Sequence, residues 1–190
     1  MARAGVTTER LARAAAELAD EVGFEDVTVS AVARRFGVTV ASLYSHISNA
    51  HDLRVRVALL SLAELADRVA DAVTGRAGKD ALVAFANAYR DYAREHPGRY
   101  TATRMRLDRE TALASAGPRH SAMARAILRG YGVPDEEQTH AVRLLGSTFH
   151  GFVSLEASGG FEHSGETETS WARTLDALDV ALRNWPSPPA

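Results

Sequence analysis

The chain has no cysteine in 190 residues. Disulfide staples, thiolate metal sites and cysteine nucleophiles are therefore excluded. No apolar run approaches the ~20 residues of a membrane-spanning helix. The richest, VALLSLAELA from Val57, is broken by Glu64. The N-terminal MARAGVTTERL has no apolar stretch of the kind found in a secretory leader, so the expected compartment is the cytoplasm and no membrane partner is expected. Period-two alternation, internal repeats and low-complexity tracts are missing too, apart from a short tail with Pro186, Pro188 and Pro189. The seven histidines are scattered, and none forms a His-x-x-x-His or zinc-protease pattern. No glycine-rich loop follows a strand, and Gly130-Tyr131-Gly132 reads as a turn. These absences leave no metal, no cofactor and no enzyme activity to expect. Net charge is −2, so the composition does not advertise a polyanion partner. A surface for one must be local, set against a more acidic remainder.

One such local surface stands out. Between Asp26 and Asp52 there is no carboxylate, while Arg34, Arg35, His46 and His51 lie inside that interval. No lysine occurs before Lys79. The same interval, VTVSAVARRFGVTVASLYSHISNAHDL, reads as two short helices joined by a tight turn. Thr28 is placed to cap the first and Thr39 the second, each a hydroxyl residue just ahead of periodic apolar positions. Val29, Val32, Ala33 and Phe36 share a face. Gly37 follows where a helix end needs a left-handed residue. In the second helix Val40, Leu43, Tyr44 and Ile47 fall on one side, leaving Thr39, Ser42, Ser45 and His46 at or near the surface. Helix, glycine turn and short second helix is the plan of a helix-turn-helix DNA reader. A surface free of acids suits approach to phosphates.

The remainder reads as all-α. With 46% apolar residues the chain can bury a core of its own. Leu11, Ala14, Ala15, Leu18, Ala19 and Val22 make the first helix amphipathic, closed by Gly23 with Phe24 as an apolar plug. A long helix from about Asp52 to Thr74 carries Val55, Ala58, Leu59, Leu62, Leu65, Ala66, Val69 and Val73. The next, about Asp80 to Glu95, stops at Pro97. Residues 98–107 suggest a short helix or turns, and 108–117 are ambiguous. Pro118 and Pro134 open two further helices, and a last one runs from about Thr169 to Asn184. The expectation is a three-helix head over residues 1–51 and a helical-bundle body over 52–190, about nine helices in all. Arg3, in a terminal arm, is a possible DNA contact, though a frayed end is the simpler reading.

The first fifty-odd residues resemble the N-terminal domain of TetR-family transcriptional regulators. The likeness is carried by LARAAAELADEVGFEDVTV, by A-x-x-x-G-V-T-x-x-S-L-Y-x-H from Ala33 to His46, and by N-x-x-D-L from Asn49 to Leu53. HGFVSLEASGGF at 150–161 resembles one C-terminal regulatory subtype of that family, with Phe149 where that subtype has a Trp or similar residue before His-Gly. The resemblance implies a one-component regulator, with double-stranded operator DNA, a small-molecule effector and a second copy of the chain as partners. It puts Thr39, Ala41 and Ser42 near base edges and Tyr44 and His46 on phosphates. Ser45 is open to either role, and Thr28 and Ser30 approach phosphate from the first motif helix. Where the family usually has a lysine just after the reading helix this chain has Ala50, with Arg34, Arg35 or Arg54 as possible substitutes. An effector pocket is expected among Phe85, Tyr89, Tyr92, Tyr100, Met105, Met123, Phe149 and Phe152, with Arg104, His120 and His150 as polar anchors. A dimer face is expected on the last two helices through Leu144, Ser147, Leu155, Trp171, Leu175, Leu178 and Leu182. The alternatives are a helical ligand-binding or adaptor protein without DNA affinity, a small all-α enzyme to which no motif points, and aromatic stripes that are plain core.

Overall fold

A computed structural model describes residues 7–163 and 165–186; Arg3, Pro188 and Pro189 lie outside the described residues. Among these there are ten helices and no strand: α1 (Thr8–Val22), α2 (Val29–Phe36), α3 (Val40–Leu43), α4 (Ala50–Val73), α5 (Gly78–Glu95), α6 (Pro97–Ala102), α7 (Arg109–Ala114), α8 (Gly117–Gly130), α9 (Gln138–Ala157) and α10 (Thr167–Arg183). The tenth element, beyond the nine expected, is α7, which occupies the ambiguous stretch. The chain forms two compact units, one of Met1–Leu65 with Glu95–Ala116, the other of Ala66–Arg94 with Gly117–Ala190. The backbone passes between them within α4 and again near the end of α5, so α6 and α7 belong with the helix-turn-helix.

In the first unit the local signals act where the sequence puts them. The Thr7 hydroxyl accepts from the Arg10 N–H and caps α1, and Gly23 ends that helix with φ +93°. Thr28 and Thr39 cap α2 and α3 through the N–H groups of Ala31 and Ser42. Two side chains fasten the start of α4: Asn49 Oδ1 accepts from the Asp52 N–H at 2.9 Å, and Asp52 Oδ2 accepts from the Ser48 N–H at 2.8 Å. One orphan donor of the helix is capped and the preceding residue is tied to its first turn, a variant of the capping box. Leu11, Ala15, Val32, Leu43 and Leu53 are among the side chains of the shared core, and Phe24 is buried in it as the expected plug.

Gly37 sits at φ +64°, ψ +35°, a left-handed turn that lets the Val38 N–H reach the Ala33 carbonyl at 3.1 Å. A Cβ there meets no other atom within 4 Å. The penalty for Gly37→Ala is thus conformational, about 1 kcal/mol. Chemical denaturation should read that loss with an unchanged slope.

α6 packs on α1 at unusually close range. A Cβ on Gly98 would lie 1.9 Å from the Ala19 carbonyl oxygen. The contact is fastened by Asp20, whose carboxylate accepts from the Arg99 N–H at 2.9 Å, is ion-paired with the Arg99 guanidinium at 3.1 Å and pairs with His96 Nδ1 at 3.1 Å. Arg99 also reaches Glu64 on α4. Asp20 is thereby a structural hub of this unit.

The second unit packs α5, α8, α9 and α10. Leu82, Phe85 and Ala86 of α5, Leu128 of α8, Leu145 and Phe149 of α9, and Trp171, Leu175 and Leu182 of α10 are all buried. Arg90 of α5 is buried with them at 3% exposure. It is forked to Glu156 of α9 and Glu168 of α10.

Candidate nucleic-acid interface

The candidate surface is built by α2, the Gly37 turn and α3. Thr28, Ser30, Thr39, Ala41, Ser42, Tyr44 and Ser45 are exposed together, with His46 half-buried beside them. α3 is shorter than expected. Its regular part ends at Leu43, and Tyr44, Ser45 and His46 lie in the turn that follows, where the His46 N–H still bonds the Leu43 carbonyl at 2.8 Å. Tyr44 consequently does not join Leu43 and Ile47 in the core: half of it is exposed. Two of the hydroxyls are occupied in shaping the segment. Ser42 Oγ donates to the Thr39 carbonyl at 2.6 Å, and Ser45 Oγ donates to the Ser42 carbonyl at 2.7 Å. Their lone pairs remain open to a donor, and Ala41 offers only a methyl group, suited to apolar contact with a base edge.

The surrounding charge is sorted more finely than the sequence could show. Arg35 is held by Glu21 at 2.7 Å and Glu17 at 3.1 Å. Glu21, first by hydrogen bond, raises the guanidinium pKa further above its usual value. Arg54 donates to the Glu25 carbonyl at 2.8 Å. Arg56 is paired with Asp52 at 2.9 Å. Burial works against the Asp52 carboxylate, but the Ser48 N–H and the Arg56 guanidinium hold it below the usual range. Of the three arginines weighed as substitutes for a lysine at position 50, Arg35 and Arg54 are thus engaged within the protein. Arg34 is exposed and makes no ion pair among the described residues. It borders an open groove of about 390 Å³ together with Leu18, Val22, Asp26, Ala31 and Arg35.

The residues expected to line an effector pocket divide. Phe85, Tyr89, Phe149 and His120 meet in one cluster of the second unit. Phe85 stacks obliquely on Tyr89 at 5.0 Å between centroids, Tyr89 lies 6.4 Å from Phe149, and the Tyr89 hydroxyl bonds His120 Nδ1 at 2.7 Å. Phe152 extends it through Trp171 at 4.8 Å, with Phe161 beyond at 4.9 Å. Tyr92 is buried on α5. His150 is half-buried on α9, near Ser154. Met123 stands apart, in a cleft lined by α4, α5 and α8. Tyr100, Arg104 and Met105 belong to the first unit, where Met105 packs on the helix-turn-helix core. Burial raises the Tyr100 hydroxyl pKa, opposed by nearby Arg104.

The residues expected at a dimer face divide as well. Trp171, Leu175, Leu178 and Leu182 are already covered inside the chain, and Trp171 Nε1 donates to Asn87 at 2.8 Å. Wide apolar stripes on α10 thus serve the chain's own core. Leu144, at 37% exposure, Leu155, at 51%, and Ser147 remain open on α9, and Val180, which sequence reasoning passed over, is open at 59% on α10.

Among the described residues no helix is long and apolar enough to cross a membrane, and no group of three or more His, Asp or Glu side chains is placed to hold a metal.

Comparison with known proteins bears directly on the helix-turn-helix. Residues 11–54 match the model of bacterial regulatory proteins of the tetR family, and residues 82–178 match a tetracyclin repressor-like C-terminal domain. The HTH-type transcriptional regulator YobS of Bacillus subtilis is 33% identical over 184 residues, 96% of this chain and 92% of that protein. Among solved structures, SCO7222, a TetR from Streptomyces coelicolor, superposes with a TM-score of 0.75 at 18% identity, over 96% of this chain and 100% of that one. A TetR variant from Acinetobacter baumannii in complex with minocycline does so with a TM-score of 0.71 at 21% identity, over 97% and 100%. A capped, glycine-turned helix-turn-helix, a family model over that segment and another over half of the chain agree: the chain belongs to the TetR family of helix-turn-helix transcriptional regulators.

Proposed function

We propose that the protein is a homodimeric cytoplasmic repressor that holds a palindromic double-stranded operator and releases it when a small molecule binds the body. The observation that carries this reading is the exposed face of Thr39, Ala41, Ser42 and Tyr44, presented by a segment whose two helices are capped and whose sequence carries no acid between Asp26 and Asp52. Thr39, Ala41 and Ser42 meet base edges, while Tyr44 and His46, with Thr28 and Ser30 on the other side, meet phosphates. Such contacts fix register while base edges give specificity. Arg34 takes the phosphate contact that Ala50 cannot make.

The functional division is head, 1–51, and body, 52–190. Dimerisation uses the open side of α9 and α10, through Leu144, Ser147, Leu155 and Val180. A two-fold pair then matches two half-sites of a palindrome. Effector binding shifts the population toward a head spacing that misses successive major grooves.

The test is fluorescence anisotropy on the intergenic duplex beside the protein's own gene, across a salt series, with a scrambled duplex as control. The expected result is selective binding with a log–log salt slope of several units. Tyr44→Ala and His46→Ala each weaken it about tenfold, ~1.4 kcal/mol. Arg34→Ala lowers the slope by about 0.9, the share of one phosphate contact. No binding to the intergenic duplex or to pooled genomic fragments at low salt would sink the reading.

A further inference from the structure

We propose a second ligand site in the body, the cleft between the end of α4, the start of α5 and α8, and we assign it to a small amphipathic carboxylate. The cleft has a volume of about 230 Å³. It exists because its walls are made of residues too small to fill it. Ala77, Gly78, Ala81, Ala126 and Gly130 line it, and a Cβ added at Gly78 or Gly130 meets nothing within 4 Å. Val73, Met123 and Ile127 complete an apolar floor, so the body of a ligand there must be apolar.

One charged side chain, Arg76, borders this floor. One of its donors, Nη1, bonds the Ala72 carbonyl at 2.7 Å. It makes no ion pair among the described residues, so most of its donors and all of its charge are available. The backbone adds to this positive field. The last carbonyls of α4 are met by the chain itself, Val73 by the Arg76 N–H at 3.1 Å and Ala70 by Thr74 Oγ1 at 2.8 Å. The negative end of α4 is thereby muted. α5, 18 residues long, begins at Gly78 on the rim, and its first N–H groups have no partner within the helix. Guanidinium and helix start together favour an anion. An apolar chain of about eight carbons lies against Met123 and Ile127, and its carboxylate meets Arg76.

The site is separate from the aromatic cluster of Tyr89, His120 and Phe149. It takes in the last turn of α4, the helix whose first half belongs to the unit carrying the reading head. Resting on the regulator reading above, occupancy then bears on operator binding by bracing the body end of α4.

The probe is octanoate, with 1-octanol as the uncharged control, titrated calorimetrically into the full chain. Saturable 1:1 binding of octanoate is expected, about tenfold tighter than octanol. Ala126→Trp, which fills the cleft, weakens both ligands at least tenfold. Arg76→Gln weakens octanoate alone and brings it level with octanol. Circular dichroism establishes that each variant is folded, and either variant by itself suffices as a test. Octanoate that fails to saturate, or that binds both variants as it binds the parent, overturns the proposal. The same preparations are titrated onto the operator. Intact operator binding without octanoate binding sinks the cleft alone. Absent operator binding sinks the regulator reading and leaves a measured octanoate site standing.

Discussion

Replacing Gly98 by alanine is expected to cost about 3 kcal/mol, the upper end of what overpacking does, and to loosen the head's first helix. The added carbon would lie 1.9 Å from the Ala19 carbonyl oxygen, 2.1 Å from its carbon and 2.6 Å from the Asp20 nitrogen. All three are backbone atoms of α1, so no rotamer change relieves the clash. α6 must move off α1. That motion lengthens the bond that Asp20 receives from the Arg99 N–H and weakens its pairing with the Arg99 guanidinium and with His96. One methyl group therefore acts on both packing and a part-buried ionic hub. Chemical denaturation at constant pH measures the loss. Gly130→Ala is the control: its Cβ meets nothing within 4 Å, and alanine suits a helix end better than glycine by at most about 1 kcal/mol. A Gly98→Ala protein as stable as that control would mean α6 is not seated on α1 as the geometry has it. Because α1 supplies Leu11, Ala15 and Ala19 to the core behind the reading surface, operator affinity should fall along with stability.

The contrast between Gly98 and Gly37 shows where the sequence was legible. Gly37 declares itself locally, since it follows Val29, Val32, Ala33 and Phe36 at helical spacing and precedes a second capping threonine. Thr7, Thr28 and Thr39 are readable for the same reason: a cap acts over three residues, within the reach of pattern reasoning. Gly98 is exceptional because of Ala19, some eighty positions earlier, and no spacing announces that. The same holds for charge. Arg35 looks like a cation available to DNA until α1 brings Glu17 and Glu21 to it. α7 is ambiguous in the sequence because it buries no residue. It has a good cap, with the Asp108 carboxylate accepting from the Thr111 N–H at 2.9 Å, but no apolar periodicity for the eye to follow. Of the residues that the family resemblance gathers into a pocket, the structure unites Phe85, Tyr89, His120, Phe149 and Phe152. It leaves Tyr100 with the head, because helical spacing fixes which face a residue takes and not which unit its helix joins. The apolar stripe of α10, expected at a dimer face, is buried within its own chain, because burial inside one chain and burial between two chains write the same pattern.

Arg90→Ala is expected to destabilise the body by about 3–5 kcal/mol, the range for breaking a buried ionic cluster by removing one member. Arg90 is a cation at 3% exposure, tolerable only because each part of its surface is answered. Its Nε and Nη2 fork onto Glu156 at 3.0 and 2.6 Å, and Nη1 and Nη2 onto Glu168 at 2.8 and 3.0 Å. The guanidinium also lies 5.1 Å from the Trp171 ring and 5.5 Å from Phe152, a favourable placement over aromatic faces. One side chain of α5 thereby fixes α9 and α10. After truncation Arg94 still reaches both carboxylates, at 2.8 and 2.6 Å, but from a more exposed position, and Glu156 keeps its burial without its main partner. Arg90→Met should recover part of the loss, because it restores the apolar stem under Trp171 while still leaving the carboxylates short of a donor. The pH dependence separates packing from charge. Hydrogen bonds from Arg90, then from Arg94, hold the Glu156 and Glu168 carboxyls below the usual carboxylate value of 4.5. A depressed folded-state pKa contributes stability that is present above the unfolded value and is lost as pH falls through the folded one. The parent protein should therefore lose stability progressively below pH 4.5, with most of the effect from Glu156, since Glu168 is largely exposed and solvent screens it. Both Arg90 variants should show a shallower decline. If Arg90→Met matched the parent at neutral pH and kept its acid slope, the fork would be ornamental, and packing alone would join α5 to α9 and α10.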